Sequence, residues 1–237
     1  MATNRALLAE ALGGPVWFMP QVHSTRVVVC SADDLDDVDD EGWGRVPGDG
    51  VPATGPDDSD GTGHDALIAL PGGPTVAVLV ADCLPVLLAD PRTGIVAAVH
   101  AGRRGLLDGV IEATVARLVS LGVRPGELRA AVGPAAGACC YEVPEAMAEQ
   151  AARSLPGIRA VTRAGSPSLD LRGGCHRVLA EAGVTTVVDL DRCTLEDDSF
   201  YSYRRAPVTG RFAGFVHGPG DPGSPCGPDV HGGPPCP

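Results

Sequence analysis

Residues 75–105 read TVAVLVADCLPVLLADPRTGIVAAVHAGRRG. Three apolar runs stand out in them, at 75–80, 85–89 and 94–100. Each has the length of a strand and is bounded by turn residues, so all three read as buried strands. Asp90-Pro91-Arg92-Thr93-Gly94 has the make-up of a hairpin turn, with Pro91 at its second position and Gly94 closing it. Gly105 then opens a helix. Leu107, Val110, Ile111, Thr114, Val115, Leu118 and Val119 share one of its faces, and Gly122 ends it. Working outward, strands are expected at 27–30, 130–132, 160–162, 186–189 and 213–217. Helices are expected at 5–12, capped by Asn4, and at 145–154 and 172–182.

Two short motifs flank these strands, Ala81-Asp82-Cys83-Leu84-Pro85 and Val99-His100-Ala101-Gly102-Arg103-Arg104-Gly105. Cys83 and His100 fall at strand ends, where a pocket can form. His23 stands upstream in Gln21-Val22-His23-Ser24. One Cys and two His from separate strand ends suit a Zn²⁺ ion whose fourth position stays open, the arrangement of a catalytic zinc. Taken singly, Cys83 reads first as a small buried hydrophobe and His100 as a core histidine satisfied by backbone. Polar Asp82 beside one and the Gly-Arg-Arg-Gly turn beside the other favour function.

The turn at 101–105 joins a strand to a helix. Its small residues let a ligand approach backbone N–H groups, and Arg104 can clamp an anion. It lacks the Gly-Lys-Ser/Thr element of a P-loop. Asp65 precedes the apolar run 66–70 and is either a turn cap, the orienter of a ligand His, or a proton donor; Asp82 is the second candidate for those last two roles. Phe200-Tyr201-Ser202-Tyr203-Arg204-Arg205 gathers much of the aromatic content. It reads either as a strand with alternating buried rings or as a wall that stacks a planar ring, with Arg205 at its end. The segment 133–142 is expected to be a tight loop at the sheet's edge, and its adjacent Cys139 and Cys140 read as packed rather than redox-active. His176, His217 and His231 are assigned no role.

The chain of 237 residues suits one α/β domain or two small ones. Aromatics are only 4% against 44% hydrophobic residues, so the core must be built from Ala, Val and Leu. There is no lysine, and the formal net charge is -12. So acidic a surface repels phosphate backbones and anionic lipid, which argues against nucleic-acid and membrane partners. It does not exclude a small anion held by a local arginine cluster. No apolar run is long enough to span a bilayer, and Glu10 interrupts the only apolar run near the N-terminus. The eight cysteines form no scaffold pattern, so reduced thiols and a cytoplasmic location are expected. Residues 33–63 read as an exposed acidic loop; an EF-hand register around Gly61 would place Pro56 and Leu67 where acids are required. The Gly/Pro-rich tail 218–237 is expected to be disordered.

Taken together, Gln21-Val22-His23, Asp65-Ala66-Leu67, 81–85, 99–105, the Gly-Pro…Cys-Cys-Tyr-Glu-Val stretch at 133–143, Leu169-Asp170-Leu171-Arg172 and 200–205 resemble the laccase-domain family. Its members have been described as polyphenol oxidases and as purine nucleoside phosphorylases. The motifs run in the family's order. The resemblance implies a single-domain α/β sandwich, layers of mixed β-sheet flanked by helices, over residues 1–217. It implies that His23, Cys83 and His100 bind zinc. It also implies phosphorolysis of adenosine, inosine and 5′-methylthioadenosine, with adenosine deamination as a second activity. The partners would then be a nucleoside and phosphate.

Within that reading, Arg104 and Arg205 are the candidates for holding phosphate, Tyr201 or Tyr203 for stacking the base, and Asp65 or Asp82 for the proton or for orienting a ligand. The sequence departs from the family at Arg103, where a Trp is usual, and at Ser24, where a Gly is usual. The family's opening Ser-Thr-Arg-x-Gly-Gly and Ser-Leu-Asn-Leu segments find no match, from which weak nucleoside turnover is expected. Three other readings compete. One is a polyphenol oxidase, which would need more imidazoles for its copper ions than six histidines readily give. Another is a metal-free Cys83–His100 hydrolase acting, for instance, on a peptidoglycan precursor. The last is a non-catalytic metal-binding protein.

Overall fold

The computed structural model describes residues 2–12, 14–34 and 63–219. The acidic loop read at 33–63 and the tail read from 218 lie almost wholly outside them. The apolar runs become strands of two stacked sheets. Six strands form the larger sheet: β2 (Val27–Cys30), β3 (Ala66–Ala69), β5 (Leu84–Ala89), β6 (Val96–Ala101), β7 (Arg129–Val132) and β10 (Thr186–Asp189), in the order β10-β7-β5-β6-β3-β2. Three form the smaller: β1 (Val16–Phe18), β4 (Thr75–Val80) and β11 (Phe212–Val216), in the order β1-β4-β11. Both sheets are mixed. β1–β4, β2–β3 and β7–β10 pair in parallel, and the remaining neighbours are antiparallel. A short hairpin of β8 (Arg159–Val161) and β9 (Pro167–Leu169) stands apart.

Helices cover the outer faces. α2 (Arg103–Asp108), α3 (Val110–Ser120) and α5 (Leu171–Glu181) form the layer over the larger sheet, α4 (Glu145–Ser154) packs against the β8–β9 hairpin, and α1 (Ala2–Leu12) packs on the smaller sheet. The central strands β3, β5 and β6 therefore bury both faces, whereas the edge strand β10 stays largely open, Val188 being 62% exposed. Ile68, Val86, Ala97 and Val99 point to the helices, while Leu67, Ala69, Val96 and Ala98 meet Trp17, Met19, Val76, Val78 and Val80 of the opposite sheet. That two-sided burial is why the runs are apolar throughout instead of alternating. The result is the expected single α/β domain of mixed sheets flanked by helices.

Four local expectations are corrected. The helix opened at Gly105 is two helices, α2 and α3, because Gly109 adopts φ 97° and breaks the axis between them. On α3, Val110, Ile111, Thr114, Val115 and Leu118 are buried, but Val119 is 47% exposed, one residue too far round the helix. The aromatic run 200–205 forms no strand. α1 already includes Asn4, so that residue is not its cap. Asp170 caps α5, its carboxylate accepting from Gly173 N–H at 2.9 Å.

Candidate metal centre and its cleft

His23, Cys83 and His100 arrive from three segments. β1 belongs to the smaller sheet and β2 to the larger, and the connection between them carries His23. β4 and β5 likewise belong to different sheets, and the turn joining them carries Cys83. His100 lies on β6 opposite Pro85. One ligand atom from each residue falls within 4.8 Å of the others. Cys83 Sγ lies 3.8 Å from His23 Nε2, and the two imidazoles meet edge to face, their centroids 4.8 Å apart.

Asp65 holds this geometry from beneath. It is fully buried just before β3. Its carboxylate accepts three consecutive backbone N–H groups, Val22 at 3.2 Å, His23 at 3.0 Å and Ser24 at 2.5 Å, together with the Ser24 hydroxyl at 2.8 Å. This nest of amides around one anion stabilises the left-handed backbone of His23, φ 62°. The same carboxylate bonds His100 Nδ1 at 2.7 Å. Nδ1 is thereby committed, and Nε2 is the nitrogen left for the centre. Gly102 faces the ligands on the other side. A β-carbon there would lie 2.5 Å from His23 Cδ2 and 3.1 Å from Cys83 Sγ, so only glycine fits.

The charges are coupled. Burial opposes the Cys83 thiolate, but hydrogen bonds from His100 and His23 outweigh it and bring the thiol down to about 6. Burial likewise opposes the His100 imidazolium, and the Asp65 hydrogen bond, followed by Cys83, raises it to about 9. Burial also works against the Asp65 carboxylate, yet His100 and the Ser24 contacts hold its pKa below the ordinary value. Asp65 stays ionised at neutral pH and has no proton to donate.

A cleft of about 750 Å³ opens above the triad. Met19, Leu79 and Val80 form its apolar floor, and Tyr141, Tyr203, Arg204 and Arg211 its walls. Arg204 places its guanidinium 4.3 Å from the Tyr141 ring centroid and donates to the Glu142 carbonyl at 2.7 Å. Asp82 also borders the cleft. It sits in a left-handed turn, φ 89°, and its carboxylate accepts from Thr194 Oγ1 at 2.6 Å and from Arg204 N–H at 2.8 Å. It anchors the wall.

The other residues singled out from sequence lie elsewhere. Arg205 donates to the carbonyls of Thr194 and Phe200, both at 2.6 Å. Tyr201 packs its ring over Gly210. Arg104 is exposed on α2 and does not line the cleft. Tyr141, Arg204 and Arg211 were passed over. The first two lay inside motifs already singled out, whereas no pattern marked Arg211.

A family model described as multi-copper polyphenol oxidoreductase laccase matches residues 1–218. The chain belongs to that family. It is 41% identical over 221 residues to a Corynebacterium glutamicum protein named purine nucleoside phosphorylase, covering 91% of this chain and 80% of that one. A Streptomyces griseus protein of the same name is 41% identical over 219 residues, again covering 91% and 80%. Among solved structures, the Bacillus licheniformis protein YfiH superposes with a TM-score of 0.75 at 26% identity, covering 91% of this chain and 80% of that one. A Neisseria meningitidis protein superposes with a TM-score of 0.72 at 32% identity, covering 92% and 80%.

Membership of the family implies a metal ion, and the residues present fit one. A thiolate and two imidazoles converge on one point, the glycine cradle clears space around them, and a carboxylate orients one of the imidazoles from behind, as such partners do for ligating histidines.

Proposed function

We propose that this protein is a zinc-dependent purine nucleoside phosphorylase. It would act on adenosine, inosine and 5′-methylthioadenosine, with adenosine deamination as a side activity. The observation that carries the reading is the pairing of the His23–Cys83–His100 centre with a cleft walled by two tyrosines and two arginines. The names of the relatives support it. Zinc is favoured over copper because a multicopper cluster needs many imidazoles, and among the described residues only His23 and His100 converge.

When bound, the ion supplies Lewis-acid polarisation of a substrate oxygen. The remaining work belongs to the chain. Asp65 holds His100 and the His23 backbone in place. Tyr141 and Tyr203 present aromatic surface to a purine. Arg204 and Arg211 supply positive charge for phosphate, the role the sequence reading gave to Arg104 and Arg205. Asp82 fixes the turn that carries Arg204.

The test is turnover with and without phosphate. Adenosine or inosine plus phosphate should yield free base and ribose 1-phosphate. Product formation that is indifferent to phosphate overturns phosphorolysis in favour of hydrolysis or deamination. Activity that survives complete removal of metal would instead favour Cys83, with its low pKa, as the nucleophile of a hydrolase.

A further inference from the structure

A second group of metal-ligating side chains lies outside this cleft. Cys139 and Cys140 occupy the turn after β7, and Cys193 and Glu196 the turn after β10. Their ligand atoms fall within 4.8 Å of one another. β7 and β10 are parallel neighbours, so both turns leave the sheet at the same end. Pairing continues past the strands. Leu190 N–H donates to Val132 O at 2.9 Å, Ala135 N–H to Arg192 O at 3.2 Å and Thr194 N–H to Ala135 O at 3.0 Å.

The thiols are fixed from several sides. Gly137 N–H donates to Cys193 Sγ at 3.3 Å. A β-carbon on Gly137 would come within 3.1 Å of Cys139 Sγ and 3.3 Å of Cys193 Sγ. Arg163 N–H donates to the Cys139 carbonyl at 3.0 Å.

Three sulfurs this close together disfavour the charged state, since one thiolate repels the next. The arginines beside the group are taken up elsewhere, Arg163 by Glu196 at 2.7 and 3.1 Å, Arg172 by Asp189 and Arg192 by Asp197 at 3.7 Å. A cation among the sulfurs relieves the repulsion. Three thiolates and a carboxylate complete a closed four-coordinate set, the mark of a structural site, and soft sulfur ligands select zinc or copper(I) over hard cations. At a zinc–sulfur bond of about 2.3 Å, tetrahedral sulfurs stand roughly 3.8 Å apart, so the group need contract by only about 1 Å.

We propose that Cys139, Cys140 and Cys193, with Glu196 as fourth donor, bind a second metal ion, zinc foremost, that fastens the segment 191–206 to the sheet edge. The segment has no helix or strand of its own. It carries Tyr203 and Arg204 of the cleft wall, and Thr194, next to Cys193, bonds Asp82, next to Cys83. The two centres would sit on opposite sides of this link. Because Glu196 also serves Arg163, the three sulfurs supply most of the affinity.

The experiment is metal analysis of the full chain purified under reducing, anaerobic conditions, followed by zinc titration against a competing chelator. The wild type should bind two zinc ions. Cys83→Ala should keep one, and a Cys139→Ser/Cys193→Ser double variant should also keep one, while Glu196→Gln should keep two with the second about 10-fold weaker. Cobalt loaded into Cys83→Ala should show thiolate charge-transfer absorption. Should Cys83→Ala fail to fold, the fall from two ions to one between wild type and the double variant decides the matter alone.

One ion in the wild type that the double variant retains overturns the proposal. So does a Cys139–Cys193 disulfide formed in place of metal. One ion that survives Cys83→Ala but not the double variant upholds this site and removes the ion from the first, so the two readings fail separately.

Discussion

Asp65 serves two candidate ligands at once, through His100 Nδ1 and through the amides around His23. Asp65→Asn keeps the shape but loses the charge that fixes the His100 tautomer. Metal affinity at the first centre should fall about 10- to 100-fold, measured by chelator competition, while the circular dichroism of the fold stays unchanged. Cys83 offers a second measurement. Nucleophilicity follows the thiolate, and its thiol is held at about 6. In metal-free protein, alkylation of Cys83 should stay fast at pH 7 and fall away only as the pH drops through about 6. Cys30 and Cys175, both pushed up to about 12, chiefly by burial, should not react. A Cys83 alkylation profile centred near 9 would contradict the ligand geometry described above, and added zinc should suppress the reaction.

At the scale of elements, β4, β5 and β6 were legible as apolar runs between turn residues. Their distribution between sheets was not. β4 and β5 are separated by three residues and look like a hairpin in sequence, but the left-handed turn at Asp82 sends them to different layers. His23, Cys83 and His100 could be singled out because Cys and His beside strands are chemically conspicuous, and their side chains do converge. The cleft wall was harder to read: 191–211 has no helical or strand period, and its shape comes from side chains that bond backbone, such as Arg205 on Thr194 and Phe200. The break between α2 and α3 was missed because apolar spacing runs on through Gly109. Gly109→Ala tests whether the left-handed conformation there is required. A β-carbon in that region costs about 1–2 kcal/mol, so Tm should fall by about 2–8 °C in thermal unfolding. An unchanged Tm would mean that the helices fuse without strain.

For the whole molecule, the chain crosses from the three-stranded to the six-stranded sheet in the two connections that bear His23 and Cys83, and His100 stands on the six-stranded sheet itself. An ion held by all three would act as a rivet through the sandwich. Its binding free energy adds to the cohesion of the layers, about 4 kcal/mol when the free ion stands a thousandfold above its dissociation constant. Chelation should then free the thinner layer first. Amides of β1, β4 and β11 should gain deuterium faster than those at the β5–β6 centre of the larger sheet, in hydrogen–deuterium exchange with and without chelator. Equal acceleration in both layers would show that the apolar contacts alone hold them together. Unequal acceleration would make the ion a mechanical part of the protein as well as a chemical one, and loss of metal would then shake the cleft loose before it unfolded the domain.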